Sequence, residues 1–381
     1  FWPLLGDRIY GWPGHVIDLV TVFATLFGLA TSLGLGVAQV NTGLSYVGGD
    51  ILGVVDIPTG IGPQVALIAG ITLIATMSVA AGLEGGVKRL STINLYLMLV
   101  LLGFLMIVGP TLYIFSSWVE GLGVYFQNFL SLSFFTGAMG EGGGTVGAWT
   151  VFYWAWWIAW SPFVGMFIAR ISKGRTVREF VIGVLFLPSL FSFIWLATFG
   201  GSALAGSVTG EGSGAVVGAY NELGYATFET LGMFVMLEQF PLGAISGSLA
   251  TLLVITFFVT SSDSGSLVID HLTSGGKHDV PKVQRIFWAL TEGGVAAILL
   301  WGGGLDALQT AAIATGFPFA IILTLMIYTV YLGLREEYQI LESREFAETI
   351  QDLSDEGDVE VTTGGDAVVT DVSEGDVPSG D

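Results

Sequence analysis

Cysteine is absent from the 381 residues, which excludes disulfides and thiolate metal sites. Histidine is scarce, and His15, His271 and His278 are scattered without metal-ligand spacing. Charge is scarce as well. Only 12% of residues are Asp, Glu, Lys or Arg, and the mean hydropathy is +0.75, so the chain reads as an integral membrane protein and not a soluble domain. Bases are the rarer charges, 12 against 32 acids for a net charge of −20. No nucleic-acid partner is expected of such a chain. The excess sits in acidic loops and an acidic tail, a solubility device in very salty water that points to a halophilic source. No nucleophile–base pair or metal cluster appears, which argues against a membrane enzyme.

What is there is a series of long apolar runs. Eight spans can be drawn, over about 15–40, 62–82, 93–117, 147–169, 180–204, 241–269, 283–303 and 306–334, so the fold class is an all-α, polytopic membrane bundle. Phe1 to Gly14 lacks a basic start and a continuous apolar core, so it is no signal peptide. It reads as a loop entering the first span, in a chain cut from something longer. Residues 120–136, with Tyr125, Phe126, Phe129, Phe134 and Phe135, read as an interfacial helix. Residues 217–240, carrying Glu222, Glu229 and Glu238, read as a short extramembrane helix capping the next span.

The bases alternate. Arg8, Lys88 and Arg89, Arg170 to Arg178, Lys277 to Arg285, and Arg335 with Arg344 fall on every second connection, while the others carry acids (Asp50, Asp56, Glu120, Glu141, Glu211) and no base. This positive-inside pattern puts both ends of the chain in the cytoplasm, in a multi-pass cell-membrane protein. Residues 1–340 form the expected membrane domain. Past Arg344 come twelve acids and no base, so 341–381 is expected to be a disordered cytoplasmic tail.

Three stretches hold candidate chemistry. The first is Tyr153 to Arg178, in which Trp154, Trp156, Trp157 and Trp160 fall within seven residues and Pro162 follows. Trp160 shares a helix face with Trp156 and with Trp157, whereas Trp156 and Trp157 diverge by about 100°. These rings sit mid-span instead of at the headgroup level, and indole faces attract cations, quaternary ammonium groups above all. Packing at a helix interface is the competing reading. The second stretch is Thr256 to Ser266, where Thr260, Ser261, Ser262, Asp263, Ser264 and Ser266 place hard oxygen donors deep in a span. Hydroxyls can be packing glue, but an Asp at that depth is costly, and oxygens without His or Cys suit a hard cation such as Na⁺. Glu292 is a possible partner for Asp263 or lines a wet cavity. The third is Thr25 to Gly43, where Thr25, Thr31, Ser32, Gln39 and Asn41 make the span too polar to face lipid.

The segments YWAWWIAWSPFVGMFIARISKGR, ATSLGLGVAQVNTGL and FFVTSSDSGS resemble the betaine/carnitine/choline transporter family over about residues 5–340. The resemblance implies a bundle of the leucine-transporter inverted-repeat type, with eight of the family's twelve spans present (spans 5 to 12) and no counterpart of the first four. It implies that Trp157 faces a trimethylammonium group, that Trp160 can donate its indole N–H to a substrate carboxylate, and that Trp156 and Phe257 border the substrate path. It implies one sodium site at Thr260, Ser261 and the Phe257 carbonyl, and parts of a second at Thr25 and Phe163. Leu29 stands where a sodium-dependent member has a second Thr, and it cannot coordinate, which puts the second ion in doubt. The acidic tail departs from the basic C-terminus of the osmosensing member. The implied function is sodium-coupled uptake of a quaternary-ammonium compatible solute, glycine betaine first, for osmoprotection. Na⁺ is the coupling ion, no cofactor is needed, and a homo-trimer in the lipid bilayer is expected, with its contact at 120–136. Choline or carnitine transport, a non-transporting osmosensor and a truncated remnant stay open.

Overall fold

The computed structural model describes residues 1–81, 84–138, 140, 146–209, 214–275 and 280–355. Glu141, Glu211, Lys277 and residues 356–381 of the acidic tail lie outside the described residues. Every element among those described is helical: α1 (Trp2–Leu5), α2 (Trp12–Ser45), α3 (Ile61–Ala81), α4 (Glu84–Val108), α5 (Thr111–Ser133), α6 (Trp154–Ile171), α7 (Val177–Thr209), α8 (Ala215–Leu223), α9 (Tyr225–Glu238), α10 (Gly243–Thr273) and α11 (Lys282–Asp355). Two π-helical stretches adjoin them, Tyr46–Ile51 after α2 and Val146–Tyr153 before α6.

Seven helices among the described residues are long and apolar enough to cross a membrane. The last of them, α11, leaves helical geometry at Gly303 (φ −155°) and Gly304 (φ 66°). Only glycine adopts the second conformation without strain, so α11 holds two of the eight crossings expected. The third crossing is shifted from its expected range of 93–117 to Glu84–Val108. Pro110, which has no N–H to donate, stops the helix, and the Thr111 hydroxyl satisfies the freed Met106 carbonyl at 2.7 Å. The interfacial helix expected over 120–136 therefore starts earlier, as α5. The single helix expected over 217–240 is two, α8 and α9, hinged at Gly224 (φ 74°).

The chain forms two compact units, Phe1–Val16 with Ile321–Asp381, and Ile17–Ala320. The division falls within α11. In the first unit, Trp2 meets Tyr10 edge-on at 6.3 Å, and Pro3 lies beside Gly333. The α11 helix continues through Asp355, so the first part of the stretch expected to be disordered is helical. Residues such as Glu342, Glu345, Ala347 and Glu348 are strong helix formers, and their propensity outlasts the membrane span.

In the second unit α2 is the inner helix. Thr25, Thr31, Ser32 and Asn41 are all buried, as their polarity required. Glycines bring its neighbours close: a Cβ on Gly34 would collide with Leu308, and one on Gly36 with Phe258. The Thr31 hydroxyl crosses to the Leu308 carbonyl at 2.8 Å. Asn41 fixes the following loop, donating to the Pro58 carbonyl at 3.1 Å and accepting from the Gly60 amide at 3.0 Å. Helix α10 packs on α3, α4, α6 and α9. Its end is tied to the start of α11 by buried Asp270, 3.3 Å from Arg285 Nε.

Candidate functional site

The tryptophan stretch folds as α6, entered through the π-helical turn Val146–Tyr153. Such turns shift a helix's register and collect at functional sites. Pro162 inside α6 frees the Ile158 carbonyl, and the Ser161 hydroxyl donates to it at 2.6 Å, a repair that lets a membrane helix carry a proline.

Helix α6 lies against α2 through small residues. Ala155 and Ala159 are buried, and a Cβ on Gly28 would sit 3.1 Å from the Ala159 Cβ and 3.3 Å from Trp160 Cδ1. This close approach lets two indoles, one helical turn apart, reach two acceptors one turn apart. Trp156 Nε1 donates to the Ser32 hydroxyl at 2.9 Å and lies 3.3 Å from the Gly28 carbonyl. Trp160 Nε1 makes the same pair of contacts, at 2.8 and 3.0 Å. Both N–H groups are thus used within the protein. The donor expected to meet a substrate carboxylate, Trp160 Nε1, is held by α2 instead.

With their edges fixed, the rings present their faces. Trp156, Trp157, Trp160 and Tyr153 line a groove of about 420 Å³ together with Ser32, Ser161 and Val164. The groove carries no carboxylate, lysine, arginine or histidine among its lining residues. Trp157 is turned away from α2 and is 59% exposed. Tyr153 lies 6.0 Å from Trp157 and 5.9 Å from Trp156, centroid to centroid. It was not singled out from the sequence as part of the box, although its positions three and four residues before the two tryptophans put it on their face.

Phe257 does not line the groove. It lies on α10 with Thr260, whose hydroxyl donates to the Phe257 carbonyl at 2.9 Å and the Thr256 carbonyl at 3.1 Å. Phe257, Thr260 and Ser261 therefore share one and a half turns of α10, with Thr260 buried and Ser261 partly buried. These hydroxyl and carbonyl oxygens are the donor type a hard cation takes. Glu292 is buried beside Ser262. Of the second set, buried Thr25 donates back to the Thr21 carbonyl at 2.8 Å. Phe163 packs edge-on against Trp160 at 5.2 Å. Leu29 is buried against Gly265, where a Cβ would collide with its side chain. Its neighbours Val22, Leu26 and Ile269 make this an apolar layer.

Residues 1–339 match the family model described as BCCT, betaine/carnitine/choline family transporter. Among curated relatives, a glycine betaine/proline/choline transporter of Vibrio parahaemolyticus is 47% identical over 88% of this chain and 58% of its own length. Glycine betaine transporter 1 of the same species is 45% identical over 89% of this chain and 62% of its own. A probable glycine betaine transporter of Desulfitobacterium hafniense is 43% identical over 89% of this chain and 65% of its own. The chain thus spans about three fifths of the length of the curated relatives it matches.

Proposed function

The chain belongs to the betaine/carnitine/choline transporter family, and from that premise we propose that it builds the binding groove of a secondary carrier for quaternary-ammonium solutes, glycine betaine first. The observation that carries this reading is the groove itself, which offers four aromatic rings and no charged side chain. A trimethylammonium group cannot donate a hydrogen bond, so ring faces are its natural partners, at roughly 0.5–2 kcal/mol each. The pinned indole edges support the same reading, because rings that cannot swing lose less freedom when a ligand binds. Betaine and choline in the relatives' names agree with this solute class, and proline, whose secondary ammonium keeps N–H donors, falls outside it.

The proposed seat of Na⁺ coupling is Thr260, Ser261 and the Phe257 carbonyl, a reading supported by the 2.9 Å approach of the Thr260 hydroxyl to that carbonyl on α10. One ion is proposed and not two, since Leu29, one helical turn after Thr25, offers no oxygen and packs on Gly265 in an apolar layer. The proposed topology has the cationic ends of the helices in the cytoplasm, a reading supported by the positive-inside rule. The exposed aromatic face of α5, including Phe126 at 70% exposure, is the surface proposed for a homo-trimer contact. Accumulation of such a solute protects a cell against osmotic stress.

The test is uptake of radiolabelled glycine betaine into vesicles holding the protein, with and without an inward Na⁺ gradient. Sodium-stimulated accumulation is expected. Betaine binding without flux would instead favour a sensor, and no binding would sink the reading.

A further inference from the structure

Three helices meet around one apolar layer, in which Ile68 and Ile71 of α3, Val259 of α10, and Ala296 and Leu300 of α11 pack together. One helical turn further along each of them the same face turns polar. Thr72 and Thr76 follow on α3 and Ser262 on α10, while Glu292 precedes Ala296 on α11. These groups meet. Glu292 lies beside Ser262, and the Thr72 hydroxyl takes the room left by Gly293, where a Cβ would collide with it. Thr72 is 6% exposed, Ser262 3% and Glu292 2%.

The oxygens of this layer are not spent. Other helical threonines donate back to the carbonyl four residues earlier, as Thr198 and Thr251 do at 2.8 and 2.9 Å. The hydroxyls of Thr72 and Thr76 and the Oε2 atom of Glu292 have no hydrogen-bond partner among the described residues. No charged side chain among those residues acts on Glu292 either. A carboxylate held away from water without a counter-charge is costly, and carboxylate and hydroxyl oxygens are the donors a hard cation takes.

We propose that Glu292, Ser262, Thr72 and Thr76 form a site for a resident monovalent cation, Na⁺ being the ion that fits, which ties α3, α10 and α11 together. One carboxylate balances one positive charge, so a monovalent ion leaves the buried site neutral and a divalent ion does not. The site is separate from the oxygens of Phe257, Thr260 and Ser261. Val259 and Ser262, three residues apart, share the face of α10 turned to α3 and α11, and Thr260 and Ser261 are rotated from Val259 by about 100° and 200°. Ligands on three helices hold an ion in place, so this one is additional to the ion of the coupling step, and it does not rest on the reading of the groove.

The purified full chain is melted in NaCl and in N-methylglucamine chloride at equal ionic strength. Wild type, E292Q and T72V are compared, each also in a T260A/S261A background that removes the proposed coupling ion. In that background Na⁺ should still raise Tm, by about 2 °C for each tenfold increase above half-saturation, and adding E292Q should remove the rise. T72V keeps the carboxylate and takes away one oxygen, so the rise should begin at about tenfold higher Na⁺. A sodium response that survives E292Q, or none at all in T260A/S261A, overturns the site, as a carboxyl that needs no counter-ion would give. Should E292Q fail to fold, T72V decides, and an unchanged onset there overturns the site as well.

Discussion

In the groove between α2 and α6 the polar atoms are used up and the ring faces are left over, because both indole N–H groups end on Ser32 and Gly28. On α10 the order is reversed: the Phe257 carbonyl and the Thr260 hydroxyl are the atoms of interest, and they hydrogen-bond to each other at 2.9 Å. A quaternary ammonium ion needs only faces, so the groove is ready as it stands. A sodium ion needs several oxygens turned towards it; the Thr260 hydroxyl donates to the Phe257 carbonyl and keeps its lone pairs for a cation, but the two oxygens alone do not fill a coordination shell. On the proposed reading the solute site is preorganised by packing, and the ion site has still to gather its further ligands. On this view the solute site tolerates little change in ring position, and the ion site depends on which oxygens can rotate.

The sharpest way to break that comparison is to remove the open face. Trp157→Ala should weaken glycine betaine binding about tenfold, the value of one good cation–π contact, read by calorimetry. Next comes the double change Thr260→Ala with Ser261→Ala. It should abolish sodium stimulation of uptake while leaving sodium-free betaine binding in place; retained stimulation would put the ion elsewhere. Ser32→Ala should be milder, because Gly28 still accepts from both indoles. A several-fold loss of betaine affinity is expected, from rings that are less firmly held. Leu29→Thr tests the apolar layer directly. It places a hydroxyl one turn from Thr25, and a steeper sodium dependence of uptake would show that Leu29 alone excludes a second ion. The smallest effect concerns pH. Burial, and after it the Asp306 charge, hold the Glu229 carboxyl above the usual carboxylate range. Its charge should be lost on acidification before an ordinary glutamate near pH 4.3 would lose it, which a pH titration of the Glu229 carboxyl by NMR would read.

Much of this was legible beforehand, for identifiable reasons. Four tryptophans in seven residues beside a proline single out by composition the helix that lines the groove, and the i, i+4 spacing of Trp156 and Trp160 correctly puts them on one face. Hydroxyls and an amide spread along a span located α2 in the interior, since lipid gives them no partner. Hydropathy misplaced the third crossing because Pro110, and not polarity, ends the helix there. The use made of the Trp160 N–H was hidden, since it depends on how closely Gly28 lets α6 approach. From the sequence Glu229 is one of three acids on a short extramembrane helix, and that it shares a cavity lining with Tyr153 and Trp156 emerges only with the fold. A carboxylate's surroundings in three dimensions leave no trace in the spacing of its own segment.

The central claim is that the groove holds its solute through a positive charge on ring faces. The direct measurement compares glycine betaine with 3,3-dimethylbutanoate, in which carbon replaces the quaternary nitrogen, for binding to the wild type and to Trp157→Ala. The account predicts that the carbon isostere binds the wild type at least about tenfold more weakly, and that Trp157→Ala narrows the gap. Equal binding of the two compounds to the wild type would contradict it, because the groove would then be recognising shape alone.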